Sequence, residues 1–385
     1  MNPLYFDHCA STPPLASVVR TVSELMTLHY ANSGALHRSG AEALKLVERA
    51  RTVVANALGA RPGEVVFTSG GTESNNLALK GTVAKSRKAS KHIVTTAIEH
   101  ASVFACAQQL EAAGVRATYL PVDERGIVSV RDVEAAIADD TALVSVMHVN
   151  NETGAIQPIE EIGRLLEGYP QVRFHVDGVQ AIGKMPVRWR EWGVDLYAAS
   201  AHKFQGPKGV GFLLVREGVE LDPLLIGGGQ EDGLRSGTHN LPGIVAGAQA
   251  LRLAVESTEA RRERMYALRR RLIGHLRDIP ELHLNGSESE TASAPQVVNV
   301  SYPGMRPEVI VHMLEQHGVL VSTQSACSSK SLKPSRVLLA MGMDAHRASG
   351  SIRISFGDEH GTDEIDALAE RLKTAVAKLK PLERT

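Results

Sequence analysis

Three groups suited to chemistry, an anion nest, a carboxylate and an amine, each follow their own β-like run in this 385-residue sequence. The first is Ser69-Gly70-Gly71-Thr72-Glu73-Ser74-Asn75-Asn76, which opens a helical pattern. Glycines let the backbone approach an anion, and a helix N-terminus offers unpaired N–H groups and a favourable dipole. Gly71 and Thr72 are therefore a candidate phosphate cradle, although the run matches neither a Walker motif nor GxGxxG. A capped βα turn is the competing reading. Asp177, in Phe174-His175-Val176-Asp177-Gly178, closes another strand. A buried carboxylate is costly without a cationic or hydrogen-bonding partner. A pyridinium N–H is such a partner, and an ordinary N-cap aspartate is the alternative. Lys203 sits in Ala199-Ser200-Ala201-His202-Lys203-Phe204-Gln205-Gly206-Pro207-Lys208-Gly209. Desolvation would free its amine for a Schiff base. Lys208 competes for the role from a turn that reads as exposed, and a solvated Lys203 is the bland alternative. An anion site, a ring-nitrogen partner and an amine are together what pyridoxal phosphate requires.

Other residues could serve the same site. His100, in Ile98-Glu99-His100, could stack on a ring and exchange protons near neutral pH, or simply start a helix. Asn151, in the polar run 147–154, could reach a cofactor or substrate, whereas His148 and Glu152 could equally satisfy local backbone. Arg353, on the run Ser351-Ile352-Arg353-Ile354-Ser355, could grip a carboxylate with two hydrogen bonds or form a salt bridge between domains. Cys327 lies in a small, polar segment, residues 322–335, that lacks helical or strand period and reads as a mobile loop. A thiol there, beside Lys330 and Lys333, suggests reactivity, because cations favour the thiolate. Cys106 reads as helix core and Cys9 as structural.

These residues need a scaffold of alternating strands and helices. Strands are expected at 64–68, 92–96, 117–121, 142–148, 172–176, 196–199 and 210–215, with helical stretches such as 102–113 and 130–138 between them. That alternation predicts an α/β fold with a mostly parallel sheet, whose ligands sit at the carboxyl ends of its strands. A helical region at 251–279 leads into a second α+β segment, and 287–293 reads as an exposed loop. The expected organisation is a large cofactor-binding domain at 15–255 and a smaller domain from 1–14 plus 256–385. The chain is 43% hydrophobic, enough for a large core, and its net charge of −1 argues against a nucleic-acid surface. No apolar run reaches the length of a membrane span, and the N-terminus lacks signal-peptide character. Three scattered cysteines suggest neither a disulfide framework nor a zinc site, so a reducing cytoplasm is expected.

Several motifs carry a family resemblance: Asp7-His8-Cys9-Ala10-Ser11-Thr12, the cradle, His148-Val149-Asn150-Asn151-Glu152, residues 199–209, Gly227-Gly228-Gly229-Gln230-Glu231, Leu234-Arg235-Ser236-Gly237-Thr238 and residues 324–334. Nearly end to end, the sequence resembles cysteine desulfurases of the NifS/IscS type, which are class V aminotransferases with the pyridoxal-phosphate-dependent fold type I. The resemblance implies conversion of L-cysteine to L-alanine with a persulfide on Cys327, passed to a sulfur-acceptor protein such as an iron–sulfur scaffold or a tRNA-thiolation protein. It implies Lys203 as the cofactor-linked lysine, Asp177 on the pyridine nitrogen, His100 over the ring and Gln180 on the cofactor hydroxyl. Gly71, Thr72, Ser200 and His202 would hold the phosphate, with Thr238 supplied across a homodimer. Asn151 and Arg353 would position the substrate, with Asn32 nearby. The sequence departs from the family at Ala31-Asn32-Ser33, where Gly-Asn-Pro is usual, at Gln324, where glycine is common, and at Cys9, usually alanine or serine. It also ends soon after its last helix, whereas many scaffold-serving members extend further. Rival readings are a selenocysteine lyase, another class V aminotransferase-type enzyme, and a non-catalytic cofactor-binding protein that relays sulfur.

Overall fold

The computed structural model describes residues 3–323 and 333–382. Seven strands form the main sheet: β1 (Val65–Thr68), β2 (His92–Thr96), β3 (Arg116–Leu120), β4 (Thr141–Ser145), β5 (Arg173–Asp177), β6 (Leu196–Ser200) and β7 (Gly211–Val215). Each expected strand is present. Their order is β1-β7-β6-β5-β4-β2-β3, with β7 antiparallel to both neighbours and the remaining pairs parallel. The two antiparallel steps leave β1 pointing the same way as β6. The carboxyl ends of β1, β2, β4, β5 and β6 therefore share one edge.

Burial on both faces explains the continuous apolar runs. Val65, Phe67, Val94, Val144, Tyr197, Ala199, Phe212 and Leu214 enter one core. Their chain neighbours Val66, Ile93, Leu143, Leu196, Ala198, Leu213 and Val215 enter another. This is the two-residue alternation of a pleated strand. Helices Ala16–Leu28, Arg38–Leu58 and Leu241–Glu256 cover the first face, and Gly71–Lys85 and Ala101–Ala112 the second. Cys106 sits in the second core, where burial pushes its thiol up to about 11.

Close approach is strictest where helix Ile159–Leu166 meets the turn at Trp192. A Cβ on Gly163 would lie 1.7 Å from the Trp192 carbonyl oxygen. Gly163→Ala should therefore destabilise the fold by about 1–3 kcal/mol through overpacking, read as a lower denaturant midpoint with the active-site cavity unchanged.

A third core combines Phe6 with residues from Leu268 to Leu379. It packs around a three-stranded antiparallel sheet with Val297–Ser301 between Ser351–Ser355 and His283–Asn285. The chain start joins this part, because Leu4–Tyr5 pairs in parallel with Val319–Leu320 and Asp7 bridges to Ser355. The expected helical region at 251–279 is two helices, Leu241–Glu256 and Thr258–Leu276. They part at Ser257, whose hydroxyl donates to Leu253 O and Ala254 O and competes with the backbone ladder. The 287–293 stretch is exposed only in its middle. Arg269 donates to the carbonyls of Ser287 and Glu288, and Ser293 is buried against Ala155.

Candidate active site

One cavity at the carboxyl edge of the sheet is lined by Gly71, Thr72, His100, Asn151, Asp177, Gln180, Ser200, His202, Lys203 and Arg353. Each arrives from a different place in the chain. Gly71 and Thr72 begin the helix after β1, His100 follows β2, Asn151 follows β4, Asp177 ends β5 and Ser200 ends β6. Lys203 closes the short turn Ala201–Lys203. Lys208 is exposed and lies outside the cavity wall.

The cradle owes its shape to missing side chains. Gly70 has φ 145°, and a Cβ on Gly71 would come within 2.7 Å of Val179 Cγ2. The first N–H groups of the helix consequently face the cavity beside Ser200. Asp177 is 4% exposed and accepts from Asn75 Nδ2 at 2.8 Å and from Val179 N at 3.0 Å. Both donors are neutral, so its charge has room for a cationic partner in the cavity.

His100 holds the structural part expected of it, capping the helix Ala101–Ala112, and is also placed in the cavity wall. Its Nδ1 accepts from Ser102 N at 3.2 Å and contacts Ser102 Oγ at 2.8 Å, which assigns the proton of the neutral ring to Nε2. Burial holds its pKa below the ordinary imidazole value, partly offset by Asp177. Asn75 Nδ2 also donates to Ser102 Oγ at 2.8 Å, so a hydrogen-bonded chain runs Asp177–Asn75–Ser102–His100. Sequence reasoning passed over Asn75 and Ser102. The available signal was spacing, since Asn75 lies four residues after Gly71 on one helix face.

Beneath the cavity the turns are pinned. Glu99 Oε1 accepts from Thr96 Oγ1 at 2.7 Å and from Met147 N at 2.9 Å, tying the end of β2 to the end of β4. Burial pushes its carboxyl up to about 8. Arg336 donates to the carbonyls of Ala97 and Glu99, and Ser335 Oγ donates to Glu152 Oε2 at 2.6 Å. His148 is buried against the Tyr197 hydroxyl at 3.0 Å, so it and Glu152 serve the framework.

Lys203 Nζ donates to Cys9 O at 2.5 Å and Ala10 O at 2.9 Å. Burial, then the Arg353 cation, pushes its pKa from 10.5 down to about 8. Below that value the amine is protonated, and above it the nucleophilic form prevails. In the cofactor-free protein, labelling of Lys203 by an amine-reactive reagent should be half-maximal near pH 8. A midpoint at the ordinary lysine value would contradict the burial. His202 is held down to about 4, first by burial and then by Lys203, so its ring is neutral.

Arg353 forms an ion pair, but with Asp7 on the strap that bridges to its own strand rather than between the two expected domains. Its Nη2 meets Asp7 Oδ1 at 2.9 Å and its Nη1 donates to Asn151 O at 2.8 Å, yet it lines the cavity and its buried Nε has no partner among the described residues. Gln180 donates through Nε2 to Cys9 O at 3.0 Å, leaving its buried Oε1 unpartnered. Cys9 was expected to be structural. It is buried, but it also forms cavity wall, because the N-terminal strap must cross the site to pair with Ser355. Asn32 and Thr238 are exposed and do not line the cavity within one chain. Cys327, Gln324 and Lys330 lie outside the described residues.

The cavity fits pyridoxal phosphate. The cradle is one that a single Cβ would fill, the amine has a lowered pKa, and among the described residues no cation pairs with the carboxylate and no donor meets Gln180 Oε1.

The family model for class-V aminotransferases matches residues 4–368. The chain is 42% identical over 377 residues to the cysteine desulfurase IscS of Methanosarcina thermophila, covering 98% of this chain and 93% of that one. A solved structure of a NifS-like protein superposes with a TM-score of 0.91 at 38% identity, covering 98% of this chain and 99% of the other. A structure of SspA in complex with cysteine gives a TM-score of 0.79 at 35% identity, covering 92% and 98%. A motif set spread from residue 7 to residue 353, one cavity that collects it, and end-to-end likeness in sequence and fold agree that the chain belongs to the class-V aminotransferases, in their NifS/IscS cysteine desulfurase branch.

Proposed function

We propose that this chain is a pyridoxal-phosphate-dependent cysteine desulfurase that converts L-cysteine to L-alanine and collects the sulfur as a persulfide on Cys327. The observation that carries this reading is the meeting of the Gly71 cradle, Asp177, Lys203 and Arg353 on one cavity. Gly71, Thr72, Ser200 and His202 would hold the phosphate, Asp177 the ring nitrogen, Gln180 the ring hydroxyl, and His100 a ring face. The bound group supplies an electron sink for negative charge at the substrate Cα. Lys203 moves the Cα proton, and its lowered pKa suits that exchange near neutral pH. Arg353 binds the substrate carboxylate with its free Nε edge, and Asn151 lies beside it. The Nε2–H of His100 serves proton movement at the substrate sulfur. The Cys327 thiolate attacks that sulfur, the carbon–sulfur bond breaks, and the electron pair stays on the substrate carbon, which takes a proton and leaves as alanine.

The chain on either side of Cys327 supports this role. Ser322 pairs with Arg353 through backbone hydrogen bonds, and Ser335 binds Glu152, so both flanking segments are anchored at the cavity. The solved SspA structure holds cysteine, which favours the same substrate class here.

The unit we propose is a homodimer. Tyr30, Leu36 and Ile226 are 85%, 104% and 88% exposed, and their loops are joined where Ser33 Oγ meets His239 Nδ1 at 2.8 Å. Such an apolar surface calls for a covering partner. A second copy there would bring Thr238 of the partner subunit towards the cradle and enclose Asn32. A reducing cytoplasm and transfer to a sulfur-acceptor protein complete the reading. No helix among the described residues is long and apolar enough to cross a membrane.

Reconstituted protein given L-cysteine should form alanine without added keto acid, with the mass of one sulfur appearing on Cys327. Cys327→Ala should lose sustained sulfide release by on the order of 10²-fold or more, the scale set by removing a nucleophile. Sustained release by that variant would place the attacking thiol elsewhere.

A further inference from the structure

The cavity is lined by a cysteine that the proposed chemistry leaves unused. Cys9 is 2% exposed, lines the cavity with Lys203, Asp177 and Arg353, and is not in a disulfide. Its backbone is fixed at three points: N to Ser355 Oγ at 2.9 Å, O to Lys203 Nζ at 2.5 Å and O to Gln180 Nε2 at 3.0 Å. The residue is thus held against the amine that would carry the cofactor. Independently of the cysteine, the cavity wall shows where a ligand belongs. Gln180 Oε1 and Arg353 Nε are buried polar atoms of this wall without partners among the described residues, on residues 4% and 1% exposed. One of them is on the side chain that grips Cys9.

We propose that Cys9 is a second sulfur-accepting nucleophile of this site, which takes the substrate sulfur directly as a persulfide. The inference rests on the desulfurase reading of the cavity. The Cys9 thiolate attacks the sulfur of bound L-cysteine. A sulfur–sulfur bond forms, the substrate carbon–sulfur bond breaks, and its electron pair stays on carbon, which takes a proton and departs as alanine. The thiol and cysteine become a persulfide and alanine, so no outside oxidant or reductant is consumed. Persulfides ionise more readily than thiols, and Cys9 shares its cavity wall with the Lys203 amine, a setting that would favour the anion. Lys184 Nζ donates to Lys203 O at 2.6 Å, which places a second amine beside the turn that carries Lys203. Because Cys9 is enclosed, sulfur placed on it has no route to a large acceptor. This thiol would capture a single sulfur rather than turn over. Cys106 offers the contrast, since it is buried in the core behind the sheet and away from the cavity.

The test uses holoenzyme given L-cysteine without added thiol, as wild type, as Cys327→Ala and as Cys327→Ala with Cys9→Ser. Alanine is counted, the protein is alkylated, and tryptic fragments are weighed. In Cys327→Ala we expect a single equivalent of alanine per chain and the mass of one sulfur on residues 1–20, which contain Cys9. The fragment bearing Cys106 should be unchanged. The doubly substituted protein should lose both signals while keeping the cofactor absorbance that reports a folded site. If Cys327→Ala binds cofactor but leaves residues 1–20 unmodified, the proposal is overturned and the wild-type reading stands. If wild type itself makes no alanine, the desulfurase reading falls and takes this inference with it.

Discussion

Lys203→Ala is expected to give a folded protein that makes no measurable alanine and lacks the visible absorbance of a lysine-linked cofactor. The fold should survive, because the change removes a desolvated cation lying near Arg353 and leaves the turn Ala201–Lys203 in place. Two losses combine in the site. The covalent anchor disappears, and so does the group that moves the Cα proton, a contribution worth on the order of 10²–10⁴-fold in rate. Absorbance titration with pyridoxal phosphate and an alanine assay check both. Visible absorbance that persists in the variant would reassign the lysine, with Lys208 the first candidate to examine.

Asp177→Asn should keep the shape of the site and lose its charge. We expect the rate to fall on the order of 10²–10³-fold, the size of removing one preorganised electrostatic partner in a water-poor cavity. The isosteric amide is a demanding test because both carboxylate oxygens of Asp177 already accept hydrogen bonds, from Val179 N and Asn75 Nδ2. Either amide orientation sets an NH₂ against a donor unless Asn75 turns over, and turning costs its bond to Ser102. Weaker cofactor binding should accompany the loss in rate, measured by equilibrium titration. A variant within a few-fold of wild type in both would mean that Asp177 is only a turn residue.

Much of the fold was legible locally. The seven strands appear where β-branched apolar runs stand, because a sheet buried on both faces leaves a continuous signature. Helices Ala16–Leu28 and Arg38–Leu58 were not singled out, and strand His283–Asn285 is too short to leave a pattern. The break at Ser257 was missed for another reason: its hydroxyl competes for carbonyls that a period count treats as filled.

Residue types and their positions after strands were enough to nominate the cradle, His100, Asp177 and Lys203, since the carboxyl ends of parallel strands converge on one edge whatever lies between them, whereas Arg353 was nominated from within its own strand. The resemblance added Gln180, Ser200 and His202, together with Asn32 and Thr238. Only the folded chain revealed Asn75 and Ser102 as the link between Asp177 and His100, Cys9 and Ala10 as partners of Lys203, and Asp7 as the counter-ion of Arg353. These pairings join residues up to 346 positions apart. Hydrogen bonds depend on distance and direction in space, and a chain that passes through seven strands before returning its first residues to its last sheet keeps no local record of which atoms will meet.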